Sequence, residues 1–260
     1  MKWSGDADIA IKKVPFFIRK KVRKKVEAYA AEKGKNRVDL TDVNELKARF
    51  LSKGGMESQI KGFEVSTCFG GSGCPNVAHS GTHLARKIEA FMEAQDLKAF
   101  LKSRVKGDLK FHHEFKVVLA DCPNACSRPQ IADIGIIGAQ VPEKGDEACS
   151  QCGECVLVCK EGAISLDSEG PLISMDKCLA CGQCIPVCPT GTLIDACTGF
   201  RVFLGGRLGR HPRLAMEVPG ILTHEQVMDL VKRCMEFYKT RSTDGSRFSH
   251  LLDSVDQVWP

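Results

Sequence analysis

Cysteine is the residue that carries chemistry in this chain: fourteen of 260 residues, in patterns too regular for packing alone. Cys149, Cys152, Cys155 and Cys159 are spaced C-x2-C-x2-C-x3-C, and Cys178, Cys181, Cys184 and Cys188 repeat that spacing, with Pro189 closing the second run. Cys68 and Cys74 bracket C-F-G-G-S-G-C, and Cys122 and Cys126 lie in D-C-P-N-A-C-S-R-P. A secreted disulfide scaffold would open on an apolar signal core, whereas this chain opens Met1-Lys2-Trp3-Ser4-Gly5-Asp6. A reducing, cytoplasmic setting is therefore expected. Zinc calls for two pairs with a longer gap between them, not two runs of four.

The doubled run is the signature of the two-cluster bacterial ferredoxins. Three close thiolates wrap one face of a cubane and the fourth comes from the other run, so the halves interlock. By that rule Cys149, Cys152, Cys155 and Cys188 hold one 4Fe–4S cluster, and Cys159, Cys178, Cys181 and Cys184 hold another. Lys160 stands where a proline often follows the first run, which leaves the ligands untouched.

The four cysteines of C-x5-C and C-x3-C resemble the centre of the sirohaem-dependent sulfite and nitrite reductase family. C-P-N-A-C-S-R-P, the run Ile131 to Gly138 and L-G-G-R-L-G-R-H-P-R agree with it, over roughly Gly62 to Arg213. The resemblance implies a third 4Fe–4S cluster on Cys68, Cys74, Cys122 and Cys126, with Cys126 shared with a sirohaem iron. It implies reduction of a small oxyanion, sulfite or nitrite, by six electrons, and the sequence does not separate the two. The anionic cofactor and substrate call for cations. Arg128, Lys110, Lys116 and His112 are the candidates for substrate and proton contacts, with His113 beside them, and Arg207, Arg210 and Arg213 for the sirohaem carboxylates. Cys197 and Cys234 are expected to be buried free thiols.

Family members carry two half-repeats and this chain carries one. The resemblance implies a second half by homo- or hetero-oligomerisation, or else a reduced, low-molecular-weight form of the reductase, beside a protein electron donor. A different class also fits: an electron-transfer protein with three clusters and no sirohaem.

The elements that position these residues are readable in outline. The fold class is α+β: a sulfite reductase-like half-domain of mixed sheet and helices, an inserted ferredoxin-like domain and an N-terminal helical unit. The boundaries are 1–54 for the basic helical domain, 55–145 and 193–240 for the half-domain, 146–192 for the insertion and 241–260 for the tail. Strands are expected at F-E-V-S-T-C, Phe115 to Ala120 and Ile131 to Gly138, one helix from Thr82 to Arg104, mixed helix and loop from Pro189 to Met235, and a polar linker in R-S-T-D-G-S-R-F-S-H leading to a segment that docks on a partner.

In the N-terminal unit a helix is expected over 15–33, with Pro15 in its first turn, Phe17, Ile18, Val22, Val26 and Tyr29 on one face and Gly34 as its stop. A second starts at the N-cap Thr41 and stops at Gly54-Gly55. The net charge of +5 is local: without Lys12, Lys13, Arg19, Lys20, Lys21, Arg23, Lys24 and Lys25, 29 basic residues face 32 acidic ones. The basic face lacks interleaved aromatics, which argues against nucleic acid and for steering an acidic ferredoxin-like donor. V-P-F-F-I-R-K-K-V-R-K-K-V-E-A-Y-A and D-L-T-D-V-N-E-L-K resemble a small helical domain of the light-independent protochlorophyllide reductases. No apolar run is long enough to span a membrane.

Overall fold

The computed structural model describes residues 1–52 and 57–259; the Gly54-Gly55 stop and the side chain of Phe17 lie outside what it describes. The chain divides into two compact units, Met1–Ile60 and Lys61–Pro260. No helix among the described residues is long and apolar enough to cross a membrane.

In the first unit, β1 (Lys2–Trp3), α1 (Gly5–Lys12), α2 (Phe16–Glu32), β2 (Arg37–Val38) and α3 (Leu40–Ser52) follow one another. Ser4 caps α1 by accepting the Ala7 N–H, a start that the short polar opening conceals. Pro15 sits one residue outside α2 as its cap, and Gly34 ends the helix in the left-handed region at φ 71°. α3 starts at Leu40, which places Thr41 inside its first turn. Ala7, Val26, Ala30 and Val38 form the core, with Trp3, Val22, Val43 and Leu46 against it. The basic stretch divides in two. Arg19 donates to the carbonyls of Lys12 and Val14, and Arg23 pairs with Asp8 at 2.7 Å while lying 4.1 Å from the Trp3 ring. Lys12, Lys13, Lys20, Lys21, Lys24 and Lys25 face solvent.

The second unit is built on β3 (Phe63–Thr67), α4 (Thr82–Glu93), α5 (Leu97–Arg104), β4 (Phe115–Ala120), β5 (Ile134–Lys144), α6 (Glu154–Val158), β6 (Ile164–Asp167), β7 (Gly170–Ile173), β8 (Leu193–Leu204), β9 (Met216–Glu217), α7 (His224–Arg241) and α8 (Phe248–Leu251). Its main sheet has the order β3-β4-β5-β8-β9, parallel across the first three and antiparallel across the last three. The helix expected over 82–104 is two, because Asp96 takes a left-handed φ of 46° and caps α5 through Ala99. Where mixed helix and loop were expected after Pro189, the chain runs as the 12-residue strand β8.

β5 and β8 form a long antiparallel pair from Ile134↔Leu204 to Lys144↔Leu193, with a bulge at Val141/Pro142. Residues 145–192 are carried at its far tip. Cys155, Ile164 and Cys184 form a small core there, closed by Leu193 at the start of β8. α4 packs on β3 and α7 on β8, and the two helices touch. Phe115, Tyr238 and Phe248 interlock in the main core, with ring centroids 5.3 Å apart for Phe115–Tyr238 and Phe115–Phe248. The stretch read as a polar linker thus sends Phe248 and Ser249 into the chain's own interior, and the segment after it adds Leu252.

Candidate functional site

β3 and β4 are parallel, so both deliver their following loops to one end of the sheet, and these are the loops of Cys68–Cys74 and Cys122–Cys126. The β5–β8 pair extends past that same end and holds the other eight cysteines there. All fourteen cysteines are unpaired thiols.

Twelve of the thiols fall into three groups, with Cys197 and Cys234 outside them. Burial pushes the Cys122 thiol up against the lowering effect of a hydrogen bond from the Asn124 backbone, and Cys68, Cys74 and Cys126 all stand near enough to Cys122 to push it further. Burial raises Cys155, with Cys149 and Cys188 adding to it, and Cys152 sits exposed in the same loop. Cys184 is pushed up to about 12 by burial and then by Cys181, Cys178 and Cys159. Cys188 moves the other way, to about 7: burial raises it, and hydrogen bonds from the Leu193 N–H, Thr190 and Thr192 outweigh that.

Backbone amides point at the sulfurs. Gly70 and Asp121 N–H both donate to Cys68 Sγ at 3.3 Å, Gln151 to Cys149 at 3.4 Å, Ala163 to Cys159 at 3.3 Å and Ala180 to Cys178 at 3.4 Å. Ala125, Gln151 and Ala180 adopt left-handed φ of 50°, 58° and 55°, a strain that loops wrapping inward around a body accept. Amides aimed at sulfur stabilise negative charge there, so this donor set fits iron–sulfur clusters. Among the described residues no three His, Cys, Asp or Glu side chains converge to hold a single ion, and a cubane asks for something else, four thiolates on four separate corners.

Gly138 lets this end of the sheet close. A Cβ there would stand 2.2 Å from the His79 carbonyl oxygen and 2.7 Å from that of Asp121. A cavity of about 180 Å³ is lined by Cys159, Cys178, Cys181 and Cys184 on one side and by Asn76, Cys122 and Asn124 on the other. β5 ties the two together, since Gln140 N–H donates to the Ala180 carbonyl at 2.8 Å. The Cys159 group is therefore the one beside Cys122, and the Cys149 group is the outer one. Sequence reading missed Asp121 and Gln140 as positioning residues; adjacency to Cys122 was the one signal available for Asp121.

The expected cations separate by position. Arg128 is exposed two residues after the exposed Cys126, and neither it nor Arg210 has an ion pair or side-chain hydrogen bond among the described residues. Arg207 and Arg213 are otherwise engaged. Arg207 donates to the His211 and Ser249 carbonyls, and Arg213 to those of Gly205, Ser249 and Leu252, so both clasp backbone. Lys116 pairs with Glu64, its register partner on β3, at 2.8 Å. Lys110 and His112 stand before the start of β4 and Cys122 follows its end, so six residues of strand hold them about 20 Å apart. Burial lowers His112, and Lys110 and Arg247 add to it. Cys234 is buried as expected, whereas Cys197 is exposed on β8.

Residues 61–259 match the family described as nitrite and sulphite reductase 4Fe-4S domain, and residues 3–47 match that described as proto-chlorophyllide reductase 57 kD subunit. The chain is similar to the coenzyme F420-dependent sulfite reductase of Methanocaldococcus jannaschii, 32% identical over 200 residues covering 76% of this chain and 30% of that protein. It is similar to one subunit of the anaerobic sulfite reductase of Salmonella typhimurium, 26% identical over 129 residues covering 49% of this chain and 32% of that one. Its N-terminal part is similar to one subunit of the light-independent protochlorophyllide reductase of a Synechococcus strain, 42% identical over 50 residues, 19% of this chain and 9% of that one. The chain thus spans about a third of the length of the sulfite reductases it matches. Through the match over residues 61–259, the chain belongs to the nitrite and sulphite reductase 4Fe-4S domain family.

Proposed function

We propose that this chain is the cluster-bearing half of a sulfite reductase-like oxidoreductase that delivers six electrons to sulfite or nitrite. The observation that carries the reading is the sorting of the thiols into three groups at one end of the sheet, with amides aimed at their sulfurs. Cys68, Cys74, Cys122 and Cys126 would hold the cluster nearest the substrate, Cys159, Cys178, Cys181 and Cys184 the next, and Cys149, Cys152, Cys155 and Cys188 the outermost. Cys126, the exposed member of its group, is the thiolate open to a shared sirohaem iron, with Arg128 and Arg210 as the cations available to carboxylates. Bound there, sirohaem would supply an iron that takes the oxyanion through a lone pair.

The chain's own part is to keep the three groups in fixed order and to stabilise each reduced cluster through N–H donors. Cys126 and Arg128 are exposed, as is Phe69 at 67% beside Cys68, and a second reductase half would cover them. A soluble protein donor would supply the electrons at the outer group.

Anaerobic purification followed by iron analysis, absorption spectroscopy and tetrapyrrole mass detection tests the reading. About twelve irons with sirohaem bands are expected. About twelve irons without tetrapyrrole, alone and with a co-expressed second half, would assign the chain to electron transfer only, and fewer clusters would overturn both.

A further inference from the structure

The outer cysteine loop carries charge that cluster ligation does not use. Asp146 and Glu147 precede Cys149, and Glu154 sits between Cys152 and Cys155. The β6–β7 turn brings Asp167 and Glu169 onto the same loop: Gln151 Nε2 donates to the Asp167 carbonyl at 2.8 Å, and a Cβ on Gly170 would lie 3.1 Å from the Cys149 Cβ. All five side chains are exposed and none has an ion pair among the described residues. Lys144, whose stem also meets Gly170, is the cation packed against this turn. On α6, within the same loop, Leu157 is 79% exposed and Val156 36% exposed, an apolar face left open among the described residues.

We infer that this face docks a redox protein whose own contact surface is rich in lysine or arginine around an apolar centre. The inference rests on the reading that the outer cysteine group holds a cluster. An apolar centre inside a charged rim is the ordinary build of a transient interface, and charge of one sign around an electron entrance selects carriers of the other sign. Each electron accepted adds negative charge beneath the carboxylates, which a cationic partner compensates while it is bound. An acidic ferredoxin-like donor, the partner suggested by the basic helix α2, meets like charge here.

Stopped-flow oxidation of the reduced holoprotein tests the surface with two probes, a lysine-rich ferricytochrome c and the anion ferricyanide. One electron leaves a reduced cluster for each ferric haem or ferricyanide iron reduced. Raising NaCl from about 20 mM to about 500 mM shortens the screening length from about 20 Å to about 4 Å. The cytochrome reaction should slow by about tenfold or more, and the ferricyanide reaction should speed up. The double variant D146K/E147K should lose the salt response, L157S should slow the cytochrome reaction at both salt concentrations, and E89K on α4 should behave as the unsubstituted chain. Iron content separates the failures. A protein with all three clusters whose cytochrome reaction ignores both salt and charge reversal overturns the docking surface alone. A protein lacking the outer four irons overturns the cluster assignment and the docking surface with it. Self-association at low salt that D146K/E147K abolishes would give the face to a second copy, and would also overturn the inference.

Discussion

Gly138→Ala tests whether the sheet holds the Cys68 and Cys122 loops at a fixed separation. The added Cβ would stand 2.2 Å from the His79 carbonyl oxygen and 2.7 Å from that of Asp121. An ordinary C···O contact is about 3.3 Å, so main chain must retreat by about 1 Å. Neither oxygen ends a flexible side chain. The Asp121 carbonyl accepts the N–H groups of Ala78 and His79 at 2.9 and 3.2 Å, and the Asp121 N–H donates to Cys68 Sγ at 3.3 Å. Overpacking costs about 1–3 kcal/mol, and each hydrogen bond pulled apart adds about 1 kcal/mol. The expected loss is about 2–5 kcal/mol, or about 5–15 °C in melting temperature for a unit of this size. The strain acts on the Cys68/Cys122 group and not on the tip of the β5–β8 pair, so iron should fall from about twelve to about eight per chain, with the two ferredoxin-like signals kept in the electron paramagnetic resonance spectrum. Gly5→Ala is the matched control, because nothing lies within 4 Å of its added Cβ. A Gly138→Ala protein with full iron and an unchanged melting temperature would refute the argument.

Other outcomes follow from the same geometry. C159S should remove the cluster of Cys178, Cys181 and Cys184 and spare that of Cys149, whereas C188S should do the reverse; identical iron spectra for C159S and C152S would end the interlocked assignment. R213M removes the hydrogen bonds to the Gly205, Ser249 and Leu252 carbonyls, at about 3–5 kcal/mol, and should speed amide exchange over residues 248–258 while sirohaem content stays constant; unchanged exchange with lost sirohaem would restore the cofactor role. Burial and then His224 hold His79 below the ordinary histidine range, so the folded chain binds this proton less readily than the unfolded chain. Stability relative to H79Q should therefore be full above about pH 6.5 and decline as pH falls through it, and a denaturant midpoint difference that grows on acidification would contradict the sign.

The cysteine runs were legible because their spacing along the chain is regular, and the parallel strands were legible because apolar runs such as Val117–Ala120 are buried on both faces. β8 was not. Its first half, Ile194 to Thr198, is exposed at the tip and shows no alternation, and only the partner strand β5 makes it a strand. The roles of Arg207 and Arg213 were hidden for a different reason. Beyond the local carbonyls of His211 and Gly205, their partners Ser249 and Leu252 lie 36 to 42 residues away, and no local pattern announces those. Lys110 and His112 are misplaced by their closeness in sequence to Cys122, because an intervening strand converts nearness along the chain into distance in space. The five carboxylates around Cys149 stand in the sequence in plain view; what makes them one surface is the fold of the β6–β7 turn onto the loop.

The β5–β8 pair makes the separation between the outer cysteine groups and the Cys68 group a discrete quantity. Each residue added to or taken from both strands moves the tip by about 3.3 Å, and a single step turns every side chain to the other face. Only even steps preserve the contact of Gln140 with the Ala180 loop. The spacing between the cysteine groups is geared by strand register: it changes in steps of about 7 Å, with no settings between them.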